Sequence, residues 1–307
     1  MWDKIIISTI FKDMGKLCTL ENKDIKKYDW WGGSNPPPPH LKTKKQLADM
    51  GLKPVSAVGV IEARKYDLLL YDPENPRSVR PSKKPTEAQL RNLEKGRRKQ
   101  AYKNWFRDEG FIYRDENEAI AWAREFVADP DNLVLDTETT GFTDPQIVEI
   151  AILNLQGEIL FHSLVKPAKE IEPGAEAVHG ISNAEVADKP TFADISPQLT
   201  VLLTDKKIAT YNVGFDFRAL ECSRQSANLP QPKYEDQEWE CAMLWYAQFY
   251  GERRGRHGYR WQRLPSAGHR AVADCLALID LLRQMATTEP RDLGQLFDRH
   301  WEEICKS

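Results

Sequence analysis

Cysteine is scarce in this 307-residue sequence, and long hydrophobic runs are missing. The five cysteines are odd in number, widely spaced and form no C-x-x-C pair, which favours reduced thiols over a disulfide framework or a zinc ribbon. The apolar runs, such as those at 5–7 and 68–70, are far too short to cross a bilayer. The N-terminus lacks the extended apolar core of a signal peptide. These absences predict a cytoplasmic protein with no membrane partner.

The net charge of −3 conceals two halves of opposite sign. Residues 1–110 carry 23 Lys and Arg against 14 Asp and Glu, whereas the rest of the chain carries 20 against 32. A basic half can hold a polyanion, and an acidic half can concentrate cations. The length allows two domains. We therefore predict a small basic α+β N-terminal region at 1–110, of unassigned family, and an α/β domain at 111–307.

The basic region contains a candidate nucleic-acid-binding segment at 77–103. It has ten basic residues and only two acids, and the aromatic residues Tyr102 and Trp105 lie close to its end. Thr86 is the expected cap of a helix in this segment. Lysine and arginine here would neutralise phosphates, although a solvated helix face remains the alternative. Before it we expect a strand or short helix at 5–11, a proline spacer at 36–39, a helix at 41–52 and strands at 58–63 and 67–71.

The most informative stretch is 132–143, where a short apolar run ends in Asp136 and Glu138. Side chains on a strand alternate between faces, so these two carboxylates project to the same side. Two like charges on one buried face repel each other, and a divalent cation would relieve the repulsion. A solvated acidic turn is the alternative.

The remaining pattern predicts a mixed sheet flanked by helices. We expect strands at 146–154 and 158–165, joined by a tight turn at Gln156 and Gly157, and a fourth strand at 207–211. The predicted helices are at 119–127, 182–187, 192–203, 215–224, 239–250, 271–285 and 294–305.

Two further carboxylates lie on helix faces that otherwise look buried. Asp274 shares a stripe with Leu278 and Leu281, and Asp216 lies on the same side as Leu220. Buried carboxylates are rare unless they are paired or bind a metal, although both acids could instead compensate a helix dipole in the first turn. His269 precedes Asp274 by five residues, at a distance along the chain that suits a proton acceptor beside the same site.

The order and spacing of these residues resemble the DEDDh family of 3′–5′ exonucleases. The resemblance rests on D-T-E-T-T-G at 136–141, H-G-I at 179–181, Y-N-V-G-F-D at 211–216 and H-R-A-V-A-D at 269–274. It covers about residues 115–290 and implies an RNase H-like fold. It implies that Asp136, Glu138, Asp216 and Asp274 bind two divalent ions, Mg²⁺ or Mn²⁺, and that His269 is the general base.

The same resemblance suggests which residues contact the substrate. Thr139, Thr140 and Gly141 would border the terminal nucleotide, Asn212 and Phe215 would lie beside its phosphate and base, and His179 would shape the pocket. Turn formation and packing are alternative roles for all six.

We expect the substrate to be the 3′ end of single-stranded DNA, with 5′-nucleotides as products. The alternatives are RNA trimming, a proofreading subunit associated with a polymerase, and an inactive nucleic-acid-binding adaptor; a homodimer is also considered. The helical layer that the family has before the histidine is shortened here, so the family's substrate preference is not carried over.

Overall fold

The computed structural model describes residues 25–63, 66–231, 238–255 and 258–306. The chain divides into two compact units, the first ending at Glu94 and the second beginning at Lys95. The domain division at 110/111 rested on composition and remains a prediction. The strand or helix expected at 5–11 lies outside the described residues.

The first unit is built from short strands around two small apolar clusters. Strands β1, β4, β5 and β2 form one sheet in that order, and β3 pairs with β6. Its elements are β1 Lys26–Tyr28, β2 Lys42–Thr43, α1 Lys44–Asp49, β3 Leu52–Pro54, β4 Gly59–Ile61, β5 Leu68–Tyr71 and β6 Val79–Pro81.

The helix predicted at 41–52 is wrong in extent. Thr43 is extended and caps α1 through a capping box with Gln46, while Thr43 and Lys42 pair with β5. The segment after Gly51, which has a φ of 71°, is already a strand. A positive φ is accessible to glycine and ends the helix, so the segment is a strand, a six-residue helix and a second strand.

The helix predicted to start after Thr86 is confirmed as α2, Glu87–Trp105. The Thr86 Oγ1 accepts from the Gln89 amide at 3.2 Å, and the Gln89 side chain accepts from the Thr86 amide at 2.9 Å. A π-type turn, Phe106–Gly110, joins α2 to α3, Phe111–Ala128. The helix predicted at 119–127 therefore begins earlier than expected, at Phe111.

The second unit has a five-stranded mixed sheet, in the order β11-β10-β7-β8-β9. Its strands are β7 Leu133–Thr139, β8 Ile147–Asn154, β9 Ile159–Leu164, β10 Ile208–Thr210 and β11 Trp239–Cys241. Strands β7, β8 and β9 are successively antiparallel, and β10 runs parallel to β7 and β11. Four strands match the prediction. The fifth, β11, was included in a helix, because three residues show no alternation.

Helices cover both faces of this sheet. Val134 and Ala151 pack in a cluster with α3, α8 and α9, whereas Leu135 and Ile150 pack with α6 and α7 on the opposite face. The helices of the second unit that follow α3 are α4 Pro173–His179, α5 Asn183–Val186, α6 Phe192–Leu203, α7 Val213–Ser226, α8 Ala242–Tyr250, α9 Ala271–Thr287 and α10 Leu293–Lys306. The predicted α/β architecture, with a mixed central sheet flanked by helices, is confirmed.

Three further sequence predictions concern the cysteines, membrane-spanning helices and the segment between α8 and α9. Cys222, Cys241, Cys275 and Cys305 are free thiols. Within the described residues, none of the helices combines the length and apolar character needed to traverse a bilayer. The described residues between α8 and α9 contain no helix, as expected from the shortened layer.

Candidate active site

Three carboxylates meet at the end of β7. Asp136 and Glu138 lie on the sheet face that also carries Val134, and this face is covered by α9. Asp274, in the first turn of α9, joins them, and one carboxylate oxygen from each of the three residues lies within 4.8 Å of the others. The alternation of β7 and the apolar stripe of α9 therefore bring together the residues that the sequence singled out.

In the described part of the chain, no lysine or arginine forms an ion pair with these three carboxylates. Burial, followed by the charges of Asp216, Glu138 and Asp274, raises the pKa of Asp136 well above its ordinary value. Burial and the neighbouring acids also raise the pKa of Glu138 to about 8. Both shifts have the same physical meaning, because desolvation and like charge favour the protonated acid.

Asp216 enters from the other side of the sheet. It lies in the first turn of α7 and accepts a 2.8 Å hydrogen bond from the hydroxyl of Thr137, whose side chain projects from the opposite face of β7 to Asp136. It is not part of the three-carboxylate group. Burial raises the pKa of Asp216 to about 7, and the bond from Thr137 opposes the shift. The charge of Asp216 therefore repels that of Asp136, while the hydrogen bond from Thr137 on β7 fixes the position of the Asp216 carboxylate.

His269 lies on the loop that leads into α9. The amides of Gly268 and His269 donate to Oδ1 of Asp274 at 2.7 and 3.1 Å. His269 is exposed and has a φ of 55°, which is uncommon for a residue with a side chain. The loop thus wraps the Asp274 carboxylate and leaves the imidazole accessible to solvent and substrate.

Four of the predicted substrate residues are tied to each other or to the strand end. The hydroxyl of Thr139 donates to the Gly141 carbonyl at 3.2 Å, and that of Thr140 accepts from the Gln146 amide at 3.1 Å. His179 Nδ1 accepts from the Ile181 amide at 3.0 Å, so Nε2 carries the proton that it shares with the Thr139 carbonyl at 3.1 Å. These residues follow directly on Glu138 or are hydrogen-bonded to the end of β7, and their hydrogen bonds stabilise the backbone there.

Asn212 and Phe215 lie at the start of α7. The Asn212 carbonyl accepts from the amides of Phe215 and Asp216, and the Asn212 side chain is exposed. The Phe215 ring lies 5.8 Å from that of Phe142, which is 82% exposed. Phe142 was missed in the sequence, although an aromatic residue directly after the motif glycine Gly141 was a signal.

Two further residues beside the cluster were also missed. Glu149 on β8 is 1% exposed and forms a bidentate pair with Arg270, the residue after His269. The sequence signal was weak, because Glu149 is one acid within an apolar strand and Arg270 is one of many arginines.

The donor set suits hard divalent cations. Carboxylate oxygens are the preferred ligands of Mg²⁺ and Mn²⁺, and the repulsion within the cluster is of the kind that a bound cation removes. Asp136, Glu138 and Asp274 could share one ion, and the charge of Asp216 acts on Asp136 from the first turn of α7. The arrangement is thus able to bind metal beside an exposed imidazole, which is the chemistry of a phosphodiester hydrolase.

Comparisons with known proteins agree with this class. The RNase T exonuclease family matches residues 133–282. The uncharacterized exonuclease CP81 of Escherichia phage 186 is 34% identical over 178 residues, which are 52% of this chain and 91% of the phage protein. The DNA polymerase III subunit epsilon of Escherichia coli K12 is 31% identical over 112 residues, which are 32% of this chain and 46% of the subunit.

Among solved structures, exonuclease X in complex with 5′ overhanging duplex DNA is similar, with 29% identity and a TM-score of 0.38 over 54% of this chain and 97% of that chain. The fold and the acidic cluster define a nuclease of the exonuclease class. The chain belongs to the DEDDh-type family of 3′–5′ exonucleases, as the motifs predicted. The family depends on divalent metal ions.

Proposed function

We propose that this protein removes 5′-nucleotides from the 3′ end of single-stranded DNA with two divalent metal ions. The observation that carries the proposal is the convergence of Asp136, Glu138 and Asp274 within 4.8 Å, with Asp216 adjacent. Four carboxylates supply more negative charge than one cation needs, which favours two. When bound, a pair of such ions stabilises the attacking and leaving oxygens of phosphoryl transfer.

The chain's own contribution is proton transfer and orientation. The exposed imidazole of His269 would accept the proton of the attacking water; the hydrogen bond from the His269 amide to Asp274, which keeps this residue beside the cluster, supports the assignment. The exposed ring of Phe142, with the half-buried ring of Phe215 beside it, suits stacking against the terminal base. Thr139, Gly141 and His179 would hold the strand end in shape around it.

A second surface supports single-stranded nucleic acid as the partner. Lys95, Arg98 and Lys99 on α2 flank a concavity whose floor is formed by Tyr102 and Phe297. Arg98 also pairs with Asp298 and lies over the Phe297 ring, while Tyr102 keeps 39% of its surface exposed. Aromatic faces flanked by cations are suited to stacking bases and neutralising phosphates.

The preference for DNA is supported by the names of the relatives. Several are named DNA polymerase III subunit epsilon or DNA polymerase III PolC-type. The same similarity supports a second candidate function, proofreading in a complex with a polymerase. The chain spans less than half the length of those epsilon subunits. Copurification with a polymerase would favour this candidate, and a stable, active protein without one would count against it.

The test of the main proposal is a digestion of end-labelled single- and double-stranded DNA and RNA with Mg²⁺ or Mn²⁺. We expect mononucleotides from the 3′ end of single-stranded DNA. Asp136→Asn should lower kcat by about 100–1,000-fold, by analogy with losses on removing groups that act on transition-state charge. Equal cleavage by wild type and Asp136→Asn would refute the site assignment. Faster degradation of RNA would refute the substrate.

The test of the surface on α2 is the salt dependence of binding. Lys95→Ala/Lys99→Ala should weaken binding of a labelled oligonucleotide in EDTA and make the slope of log K against log salt shallower by about 1–2. Lys166→Ala/Lys189→Ala is a matched control of exposed lysines elsewhere in the second unit. An unchanged slope in the first variant would mean that this helix face is only solvated.

A further inference from the structure

A fifth carboxylate, that of Glu149, lies on the same sheet face as Asp136 and Glu138. Glu149 on β8 is directly opposite Glu138 in the antiparallel register. Residues opposite each other in such a pair project to the same face, with Cβ atoms only about 5 Å apart. Glu149 is nevertheless almost fully buried and does not belong to the group of three acids that could hold a metal ion. Its chemistry must therefore differ from that of its neighbours.

Protein donors occupy the Glu149 carboxylate. The Arg270 guanidinium donates from Nε to Oε2 and from Nη2 to Oε1, both at 2.9 Å. The Ala271 amide donates to Oε2 at 3.1 Å, and His162 Nε2 lies 2.8 Å from Oε1. Burial opposes ionisation, but these bonds hold the pKa of Glu149 below its ordinary value. Glu149 is thus a paired anion that anchors chain rather than a free ligand.

The contacts of Glu149 converge on the loop that carries the proposed base. Gly268 and His269 donate their amides to Asp274, and the next two residues, Arg270 and Ala271, are bonded to Glu149. The loop is therefore fixed at four consecutive residues by two acids from different elements. His269 adopts its positive φ within this frame. Such a conformation is strained and persists only where surrounding contacts impose it.

We propose that Glu149 and Arg270 are positioning residues, which together hold the loop so that His269 and the Asp274 carboxylate keep their orientation at the site. The proposal rests on the role of His269 and Asp274 in the proposed function. Neither Glu149 nor Arg270 needs to touch the substrate. The bidentate geometry of the pair matters as well as its charge. The planar Arg270 guanidinium donates two parallel hydrogen bonds and so fixes the orientation of both side chains, whereas the ammonium group of a lysine would not.

The first test separates kcat from KM. Glu149→Gln keeps the shape of the side chain but removes its charge, and it replaces one acceptor oxygen facing Arg270 with an amide donor. We therefore expect kcat to fall by about 10–100-fold with KM nearly unchanged. Arg270→Lys keeps the charge without the fork and should show a similar loss. Glu158→Gln, an exposed neutralisation on the hairpin between β8 and β9, is the matched control and should behave as wild type.

The second test does not require activity. Hydrogen exchange in the metal-free protein should speed up at least tenfold at the amides of residues 268, 269 and 271 in both variants, with the core strands unchanged. If wild type proves inactive on every nucleic acid, the proposed function fails while the exchange data still report on the loop. Variants with unaltered exchange at these amides and unaltered kcat, whether or not they melt earlier, would overturn the positioning role.

Discussion

Replacing Glu138 with glutamine should stabilise the metal-free protein. The pKa of Glu138 is raised from 4.5 to about 8, chiefly by burial and then by Asp274 and Glu149. When the pKa of an acid is higher in the folded than in the unfolded protein, folding stability is greatest at a pH below the unfolded-state pKa. This stability is lost as the pH rises towards the folded-state pKa. The interval from the ordinary pKa of 4.5 to pH 7 is about 2.5 pH units, and each unit is worth about 1.36 kcal/mol. At pH 7 the Glu138 carboxyl group therefore lowers the free energy of unfolding by roughly 3 kcal/mol.

The assay is urea or thermal unfolding in EDTA at pH 7 and at pH 4.5. Glu138→Gln should be more stable than wild type by about 3 kcal/mol at pH 7, or by roughly 5–10 °C in Tm, and the difference should nearly vanish at pH 4.5. Mn²⁺ should reverse the order, since a ligand that binds only the folded state stabilises it by mass action and the variant has lost a candidate ligand. Glu158→Gln controls for neutralising an exposed acid.

Two outcomes would refute this reasoning. If Glu138→Gln were less stable than wild type at pH 7 in EDTA, the carboxylate would be making favourable contacts that outweigh its burial and repulsion. If the stabilisation were the same at pH 4.5 and pH 7, ionisation would not be its cause. Either result would also weaken the argument that the cluster requires cations.

Three further predictions concern residues around the site and in the core. Burial lowers the pKa of His179, so the contribution of this group to stability is present above pH 6.5 and is lost as the pH falls below it; His179→Gln should flatten that part of the stability–pH curve in EDTA. In Gly141→Ala the added Cβ would collide with the Glu172 carboxyl at a φ of 149°, so we expect reduced kcat, and Glu172→Ala should restore it only in part because the backbone strain remains. Phe297→Ala removes a buried ring from the aromatic cluster with Tyr102 and should cost about 3–5 kcal/mol in unfolding free energy, which urea titration would detect; a loss below 1 kcal/mol would contradict the packing seen here.

Local periodicity explains why much of the second unit could be predicted. Alternation along β7 placed Asp136 and Glu138 on one face, and the apolar stripe of α9 placed Asp274 on its core side. The Asn154–Gly157 turn between β8 and β9 also followed from local sequence, because the Gly157 amide bonds the Asn154 carbonyl. Each of these features depends on residues close together in the chain.

Elements whose conformation depends on distant partners were predicted less well. Strand β11 is three residues long and exists because it pairs with β10, and α4 at 173–179 was not predicted as a helix at all. Residues 42–43 form a strand through pairing with β5, although the surrounding sequence favours a helix. Propensity over so few residues is too small to compete with tertiary hydrogen bonds and burial.

The sequence by itself identified the family and the α/β character of the second unit. It also singled out five candidate site residues, Asp136, Glu138, Asp216, His269 and Asp274. Motif spacing carries this information because the chemistry needs those residue types and the fold of the family supplies them from fixed places along the chain. Only the tertiary structure decided that Glu149 lies opposite Glu138 and is bound by Arg270, and that Asp216 is held from the other face of β7 by Thr137. The Thr137–Asp216 and Glu149–Arg270 contacts join residues 79 and 121 positions apart, and no local pattern in the chain records such contacts.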